Sequence, residues 1–439
     1  MKTICILGLG YIGLPTAAMF ATHGKKVIGV DINQKIVNTL NDGDIHIHEP
    51  GLRELVHQAL SSGNLKVSIQ AQPADVFIIA VPTPFQQEIA QTEDGIKYKK
   101  ADMRYVVSAT EAILPHLRPG NLVILESTSP PRTTVDLVKP ILERSGLKAG
   151  EDFYLAYSPE RVLPGNILYE LVHNARVIGG VNQASAEKGL ELCQSFVEGE
   201  ILFTDSTTAE MVKLMENTYR DVNIALANEF SRLAEWIGFD EWEAIELANH
   251  HPRVNILRPG PGVGGHCISV DPWFLVESAP EATPLIRQAR KVNDSQPEYV
   301  VKLIEKALGG LVKGKRIAAL GLAYKPDIDD LRESPAVEVV KLLEHKGAHI
   351  KAYEPFNPDR KFETFKTTPS LEDAVFDADV IVLLVGHDQF KSIEPEIMAN
   401  ITSSRTVVDI INGWNKEEWE AAGFLFFALG DRSIPVRLM

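Results

Sequence analysis

Short continuous apolar runs alternate with mixed stretches over the first third of the chain. Thr3–Leu7, Lys26–Val30, Val76–Val81 and Leu122–Leu125 have the unbroken hydrophobicity of strands covered on both faces, and Pro15–His23 reads as a helix. Such alternation predicts an open parallel sheet with helices on both sides. The pattern then changes. From Thr208 to Ile237 glycine and proline almost vanish. Met211, Leu214, Met215, Val222, Leu226, Phe230, Leu233 and Ile237 recur mainly at steps of three and four. That predicts one long helix, with Asp205, Ser206 and Thr207 as cap candidates. Helical periodicity continues through Glu241–His250, and a loop rich in proline and glycine follows from Pro252 to Pro272. Alternation returns with strands at Arg316–Leu320, His349–Tyr353, Val380–Val385 and Thr406–Ile410, and helices at Ala336–His345 and Leu371–Phe376. The fold expected is α/β: two Rossmann-like, doubly wound domains joined by a long central helix and a helical middle region.

Composition narrows the class. A chain of 439 residues holds two or three domains, and 45% hydrophobic with 23% charged residues is ordinary globular usage. Lysine plus arginine number 44 against 59 acidic residues, a formal charge of -15, which argues against a protein that coats nucleic acid. Three cysteines, Cys5, Cys193 and Cys267, neither form a disulfide framework nor have zinc-site spacing, so a reducing cytoplasm is the expected compartment. The apolar segment from Ile4 to Ala21 is broken by Gly8, Gly10, Gly13 and Pro15, so a signal peptide or membrane span is the weaker reading.

Three passages carry chemistry. Gly8-Leu9-Gly10-Tyr11-Ile12-Gly13 is G-x-G-x-x-G between a strand and a helix, and Asp31 ends the next strand. The first glycine permits a tight turn, the second lets backbone approach a pyrophosphate, and the third lets helix and strand pack closely. Asp31 suits the ribose hydroxyls and would repel a 2′-phosphate, so NAD is favoured over NADP. Thr83 and Thr128 follow strands and are candidates for the nicotinamide side. The second passage is Pro259–Cys267, where glycines precede Cys267, His266 adjoins it and Asp271 lies four residues on. Residue chemistry alone leaves a nucleophilic thiolate and a small buried thiol equally open. Third, Lys213, Asn217 and Arg220 share one helical face, either as a solvated stripe or as groups reaching a reaction centre.

Together with Ser158-Pro159-Glu160-Arg161 and the segment from Lys325 to Pro335, these motifs make the chain resemble the UDP-glucose/GDP-mannose dehydrogenase family, the nucleotide-sugar 6-dehydrogenases, over essentially its whole length. Arg161–Gly165, His250–Leu257 and Cys267–Phe274 resemble the branch that oxidises UDP-N-acetylmannosamine, with UDP-GlcNAc and UDP-GalNAc as alternative substrates. Where UDP-glucose enzymes usually carry Phe, this chain has Arg161.

The resemblance implies oxidation of a C6 alcohol to a carboxylate with two NAD, through a thiohemiacetal and thioester on Cys267, for surface polysaccharide synthesis. It assigns Lys213 to acid–base work or to the oxyanion, Asn217 to the oxyanion, and Asp271 and Glu160 to water activation. Gly8, Gly10, Tyr11, Ile12, Gly13, Asp31, Thr83, Thr128 and Arg332 become cofactor positions. Arg161, Val162, Lys213, Asn217, Arg220, His251, Arg253, Gly264, Tyr324 and Lys325 become substrate positions. No metal is implied. Domain bounds of 1–205 for the NAD domain, 206–300 for the helical dimerisation region and 301–439 for the UDP-sugar domain complete the expectation, together with a UDP-sugar substrate, a homodimer, and neither nucleic acid nor membrane as partner.

Overall fold

The continuous apolar runs are strands buried from both sides. In the computed structural model, which describes residues 2–265 and 267–431, the strands of the first sheet are β1 (Thr3–Leu7), β2 (Lys26–Val30), β3 (Leu65–Ser68), β4 (Val76–Ile79), β7 (Leu122–Leu125), β8 (Tyr154–Tyr157), β9 (Arg176–Gly180) and β10 (Ile201–Asp205). Their spatial order is β10-β9-β8-β7-β4-β1-β2-β3, while β5 (Phe85–Gln91) and β6 (Lys97–Ala101) form a separate antiparallel ribbon. Successive side chains point to opposite faces. Ile4, Ile6 and Ile78 therefore join one core, and Cys5, Leu7, Phe77 and Ile79 join the other.

Contacts divide the chain into two units, residues 1–216 with 273–283, and residues 217–272 with 284–439. The second holds β11 (Arg316–Leu320), β12 (His349–Tyr353), β13 (Val380–Leu383), β14 (Thr406–Asp409) and β15 (Leu425–Ala428), all parallel in the order β12-β11-β13-β14-β15. Ile317, Ala319 and Val382 face one core, and Ala318, Leu320, Ile381 and Leu383 the other. In each sheet the order reverses beside the first strand, which is where α/β sheets bind ligands.

One expectation needs correction. The first sheet is not wholly parallel, because β8 pairs β9 antiparallel, with Ala156 opposite Gly180 and Tyr157 opposite Gly179. The chain leaves β8, passes the short helix Ile167–His173 and re-enters from the same end, so the connection is a return and not a crossover. The long helix runs from Ser206 to Ile237, capped by Asp205, whose carboxylate accepts from the Thr208 amide at 2.9 Å and its hydroxyl at 2.5 Å. Its apolar positions are not all core: Leu214 is buried, but Leu226, Leu233 and Ile237 are 45%, 41% and 71% exposed, beside exposed Tyr219 and Trp236. Among the described residues no helix is long and apolar enough to cross a membrane. His266 lies outside the described residues.

Candidate functional site

The turn between β1 and the helix Gly13–Thr22 shows why each glycine is needed. Gly8 has φ +96°, and a Cβ there would stand 2.4 Å from the Ala80 carbonyl oxygen. A Cβ on Gly13 would fall 1.9 Å from the Gly8 oxygen, whereas one on Gly10 would meet nothing within 4 Å. The outer glycines thus close the turn, and the middle one faces open space. No side chain caps the first turn of the helix, whose residue before the start is Ile12; the Leu14 amide donates to the Gly10 carbonyl at 3.1 Å and Pro15 has no N–H, so the positive end of the helix dipole, not a row of free amides, is what this turn offers an anion. Asp31 accepts from the Leu9 amide at 3.0 Å and the Asn33 amide at 2.8 Å, which fixes its carboxylate beside the turn. These residues fit a dinucleotide. His46, which the sequence did not single out, lies close enough to Asp31 to feel its charge. Burial nevertheless holds its imidazole below its usual value.

At the ends of β4 and β7 the two expected threonines meet: the Thr83 hydroxyl donates to the Thr128 carbonyl at 2.7 Å. Ser127 ties the same strand ends by donating to the Val81 carbonyl at 2.7 Å.

Lys213 and Asn217 are buried, 6% and 0% exposed, which overturns the solvated-stripe reading for those two. Lys213 Nζ donates to the Glu160 carbonyl at 2.7 Å. The Glu160 side chain turns back into the protein, where Oε1 accepts from the Arg161 amide at 2.8 Å and Oε2 lies 3.0 Å from Arg176. Arg161 donates to Glu216 at 2.8 Å and to the Ala175 carbonyl, so its guanidinium is engaged within the chain. Val162 packs against the first core. The loop after it is held by buried Glu49, which accepts from the Gly165 and Ile167 amides at 2.8 and 2.7 Å.

A second cluster belongs to the second unit. Asn217 donates to the Asp271 carboxylate, and Arg220 donates to the Asn217 oxygen. Asp271 is 1% exposed, and its amide donates to the Cys267 carbonyl at 2.8 Å, which closes one turn behind the cysteine. Cys267 itself is partly exposed, unlike Cys5 and Cys193. The preceding glycines admit neighbours that side chains would displace. A Cβ on Gly264 would stand 2.7 Å from the Glu333 oxygen, and one on Gly265 (φ +79°) would stand 2.8 Å from the Tyr324 ring. The Gly265 amide donates to the Arg332 carbonyl at 3.1 Å. Burial, and the nearby charges of Asp330 and Cys267, push the Tyr324 phenol up, so the ring stays neutral beside the cysteine.

Asparagines on the long helix hold the loop upstream. Asn223 accepts from the Leu257 amide at 3.0 Å, and Asn228 accepts from the Gly260 amide at 3.0 Å. Neither was legible in the sequence, where both look like polar interruptions of an apolar stripe. Arg332 pairs with Asp330 at 2.6 Å while staying about half exposed, and Lys325 is half-buried. His251 and Arg253 are exposed, and the Arg253 amide donates to His251 Nδ1 at 3.3 Å.

The chemistry available is therefore a cradle for a dinucleotide, a buried lysine, and a partly exposed thiol backed by an amide–carboxylate pair. Among the described residues no group of three or more His, Cys, Asp or Glu is placed to hold a metal.

Family models for the UDP-glucose/GDP-mannose dehydrogenases match along the chain: the NAD binding domain over residues 2–197, the central domain over 207–295 and the UDP binding domain over 318–416. The chain is 51% identical to a UDP-N-acetyl-D-mannosamine dehydrogenase of Methanocaldococcus jannaschii, covering 98% of this chain and 97% of that one. It is 45% identical to an NDP-N-acetyl-D-galactosaminuronic acid dehydrogenase of Ralstonia nicotianae, covering 94% and 96%. A solved UDP-D-ManNAc dehydrogenase from Pyrococcus horikoshii superposes with a TM-score of 0.89 at 42% identity, covering 98% of this chain and 100% of that one.

Proposed function

The chain belongs to the UDP-glucose/GDP-mannose dehydrogenase family, is an NAD-dependent dehydrogenase acting on a UDP-sugar, and from that premise we propose that it oxidises UDP-N-acetyl-D-mannosamine at C6 to the uronate. NAD supplies the hydride acceptor for both oxidations, alcohol to aldehyde and thiohemiacetal to thioester. Gly8, Gly10, Tyr11, Ile12, Gly13 and Asp31 hold the adenosine and pyrophosphate, and Thr83 and Thr128 line the nicotinamide side.

Cys267 Sγ captures the aldehyde carbon, so the intermediate stays bound between oxidations, and leaves when water attacks the thioester. Lys213 and Asn217 donate to the oxygen that gains negative charge at C6. Asp271, bonded to Asn217, fixes that amide with its NH2 donors and orients the hydrolytic water, while Glu160, expected to share that task, has its carboxylate turned inward to Arg161 and Arg176 and acts through its carbonyl on Lys213. Arg161, Val162, Arg220, Gly264, Tyr324 and Lys325 bind the UDP-sugar, and Arg332 reaches the cofactor.

The observation that carries the reading is the Cys267 turn, closed by the Asp271 amide and backed by Asn217: a surface thiol with no chemical task needs no buried carboxylate behind it. The mannosamine epimer rests on the names of the relatives above. A galactosamine or glucosamine UDP-sugar is the second reading, the galactosamine one supported by the Ralstonia likeness.

We divide the chain at residues 1–205, 206–300 and 301–439, and place it in the cytoplasm as a homodimer whose product feeds a surface polysaccharide. The exposed Tyr219, Leu226, Leu233, Trp236 and Ile237 follow one face of the long helix and support the dimer, as does the exposure of His251 and Arg253. Initial NADH formation on purified UDP-ManNAc, UDP-GlcNAc and UDP-GalNAc tests the substrate. The mannosamine sugar should turn over at least tenfold faster in kcat/KM, about 1.4 kcal/mol of discrimination. A preference for either other sugar moves the assignment.

A further inference from the structure

Glu126, Glu160 and Arg176 form a buried group with one positive and two acidic side chains. Each is at most 8% exposed. The antiparallel pairing of β8 and β9 brings them together. Tyr157 stands opposite Gly179, so counting outward along both chains sets Glu160 opposite Arg176, the first residue of β9. Glu126 follows directly on β7, which runs parallel to β8 on its other side.

The distances are unequal. Arg176 lies 3.0 Å from Glu160 Oε2 but 3.9 Å from Glu126 Oε1, outside hydrogen-bond range. The second Glu126 oxygen is buried with no hydrogen-bond partner; Glu160 Oε2 also lacks a well-aligned hydrogen bond, but it lies 3.0 Å from Arg176 as an ion pair and its other oxygen accepts from the Arg161 amide. The Phe196 ring stands 6.0 Å from the Arg176 guanidinium, and buried Cys193 completes the surroundings, so the charged groups facing Glu126 are Glu160 and Arg176 and the titratable thiol is Cys193. A desolvated carboxylate without hydrogen bonds is strongly unfavourable, and such a group takes up a proton instead. Burial first, and the Glu160 charge second, hold the Glu126 carboxyl far above the usual range, with Arg176 only partly opposing them.

We propose that Glu126 and Arg176 are positioning residues for Glu160: Glu126 keeps its proton at neutral pH, which leaves the Arg176 guanidinium to Glu160 alone. The consequence reaches the reaction centre through two bonds already described, the Glu160 carbonyl accepting from Lys213 and the Glu160 carboxylate accepting from the Arg161 amide. Once Glu126 ionises in alkali, two carboxylates divide one guanidinium, and the segment that presents Glu160 to Lys213 shifts. This rests on the reading of Lys213 and Glu160 as reaction-centre groups.

Two measurements test it. Infrared difference spectra of the substrate-free enzyme, wild type minus Glu126→Gln at pH 7, should contain a protonated-carboxyl stretch that disappears on alkaline titration and persists in Glu126→Asp. This readout needs no turnover, so it stands whatever sugar the enzyme takes. The ratio of kcat for Glu126→Gln to wild type should then rise about fivefold or more between pH 7 and about pH 9.5, because only the wild type loses the neutral form. Taking the ratio cancels limbs that both proteins share, including any from Lys213 or Cys267. Absence of the carboxyl stretch overturns the protonated state. A ratio flat across this range overturns the positioning role.

Discussion

The two sheets open on the same turn and use it differently. In the first unit Gly8 ends β1 with φ +96°, and in the second Gly321 ends β11 with φ +86°; a Cβ on either would collide with the neighbouring strand end, 2.4 Å from Ala80 and 2.5 Å from Val385. An acidic residue follows the second strand in each, Asp31 after β2 and Glu354 after β12. There the likeness ends. Asp31 is half-buried beside a five-residue turn whose central Gly10 faces open space. Glu354 is fully buried, accepting from the Leu322 and Ala323 amides at 2.7 and 3.0 Å and lying 3.1 Å from His387 Nε2. Because His387 Nδ1 accepts from the Asp327 amide at 2.9 Å, the ring proton sits on Nε2 and points at Glu354. Both acids are anchored by turn amides, but Asp31 keeps part of its surface open to a ligand while Glu354 is consumed by the fold. The shared architecture therefore says little about ligand, and the turn says nearly everything.

The comparison breaks most sharply at the glycines. Gly13→Val would drive a side chain into the Gly8 carbonyl, so NAD affinity should fall at least a hundredfold, about 2.7 kcal/mol, with a lowered melting temperature. Gly10→Ala has room in the protein and should fold normally while binding NAD about tenfold more weakly, as read by calorimetric titration.

The acids come next. Asp31→Asn should weaken NAD about tenfold with little change in stability, whereas Glu354→Gln should leave NAD affinity alone and cost ~2 kcal/mol of stability. The stacked Trp414 and Trp419 of the second unit report the latter by fluorescence in urea. If both variants lose NAD affinity equally, the distinction between the turns is wrong.

Lys325→Ala carries a smaller effect, a several-fold rise in KM for the UDP-sugar with NAD binding unchanged, in steady-state kinetics.

The smallest effect is in acid. Burial alone would raise the Glu354 carboxyl, but hydrogen bonds from His387 and the turn amides outweigh it and hold the group below its ordinary value. A depressed carboxyl contributes stability above its unfolded pKa, about 4.3, and loses it as pH falls through the folded value. Wild type should thus lose stability relative to Glu354→Gln only below about pH 4, in urea titrations across that range.

Legibility follows the range of the interaction. The fingerprint could be read because glycine's freedom at Gly8 and its bareness at Gly13 are local demands of one turn. The strands could be read because burial on both faces leaves only apolar residues in Val76–Ile79 or Val380–Leu383. Apolar spacing also found the long helix but not its surroundings: it cannot say that Leu214 is core while Leu233 is exposed. Least legible was the pairing of Glu160 with Arg176, sixteen residues apart, because it depends on a strand returning antiparallel where a crossover was expected. Asn228 was hidden for the same reason, its partners being the Gly260 amide and the Asn293 side chain.

The central claim is that this chain carries one sugar through two oxidations without releasing it. NADH formed per UDP-ManNAc consumed, measured at completion with an aldehyde trap present, tests it most directly. Two NADH per sugar, uronate as product and no trapped aldehyde are expected, with Cys267→Ala forming no uronate in the steady state. One NADH per sugar with the aldehyde captured, or steady uronate formation by Cys267→Ala, would contradict it.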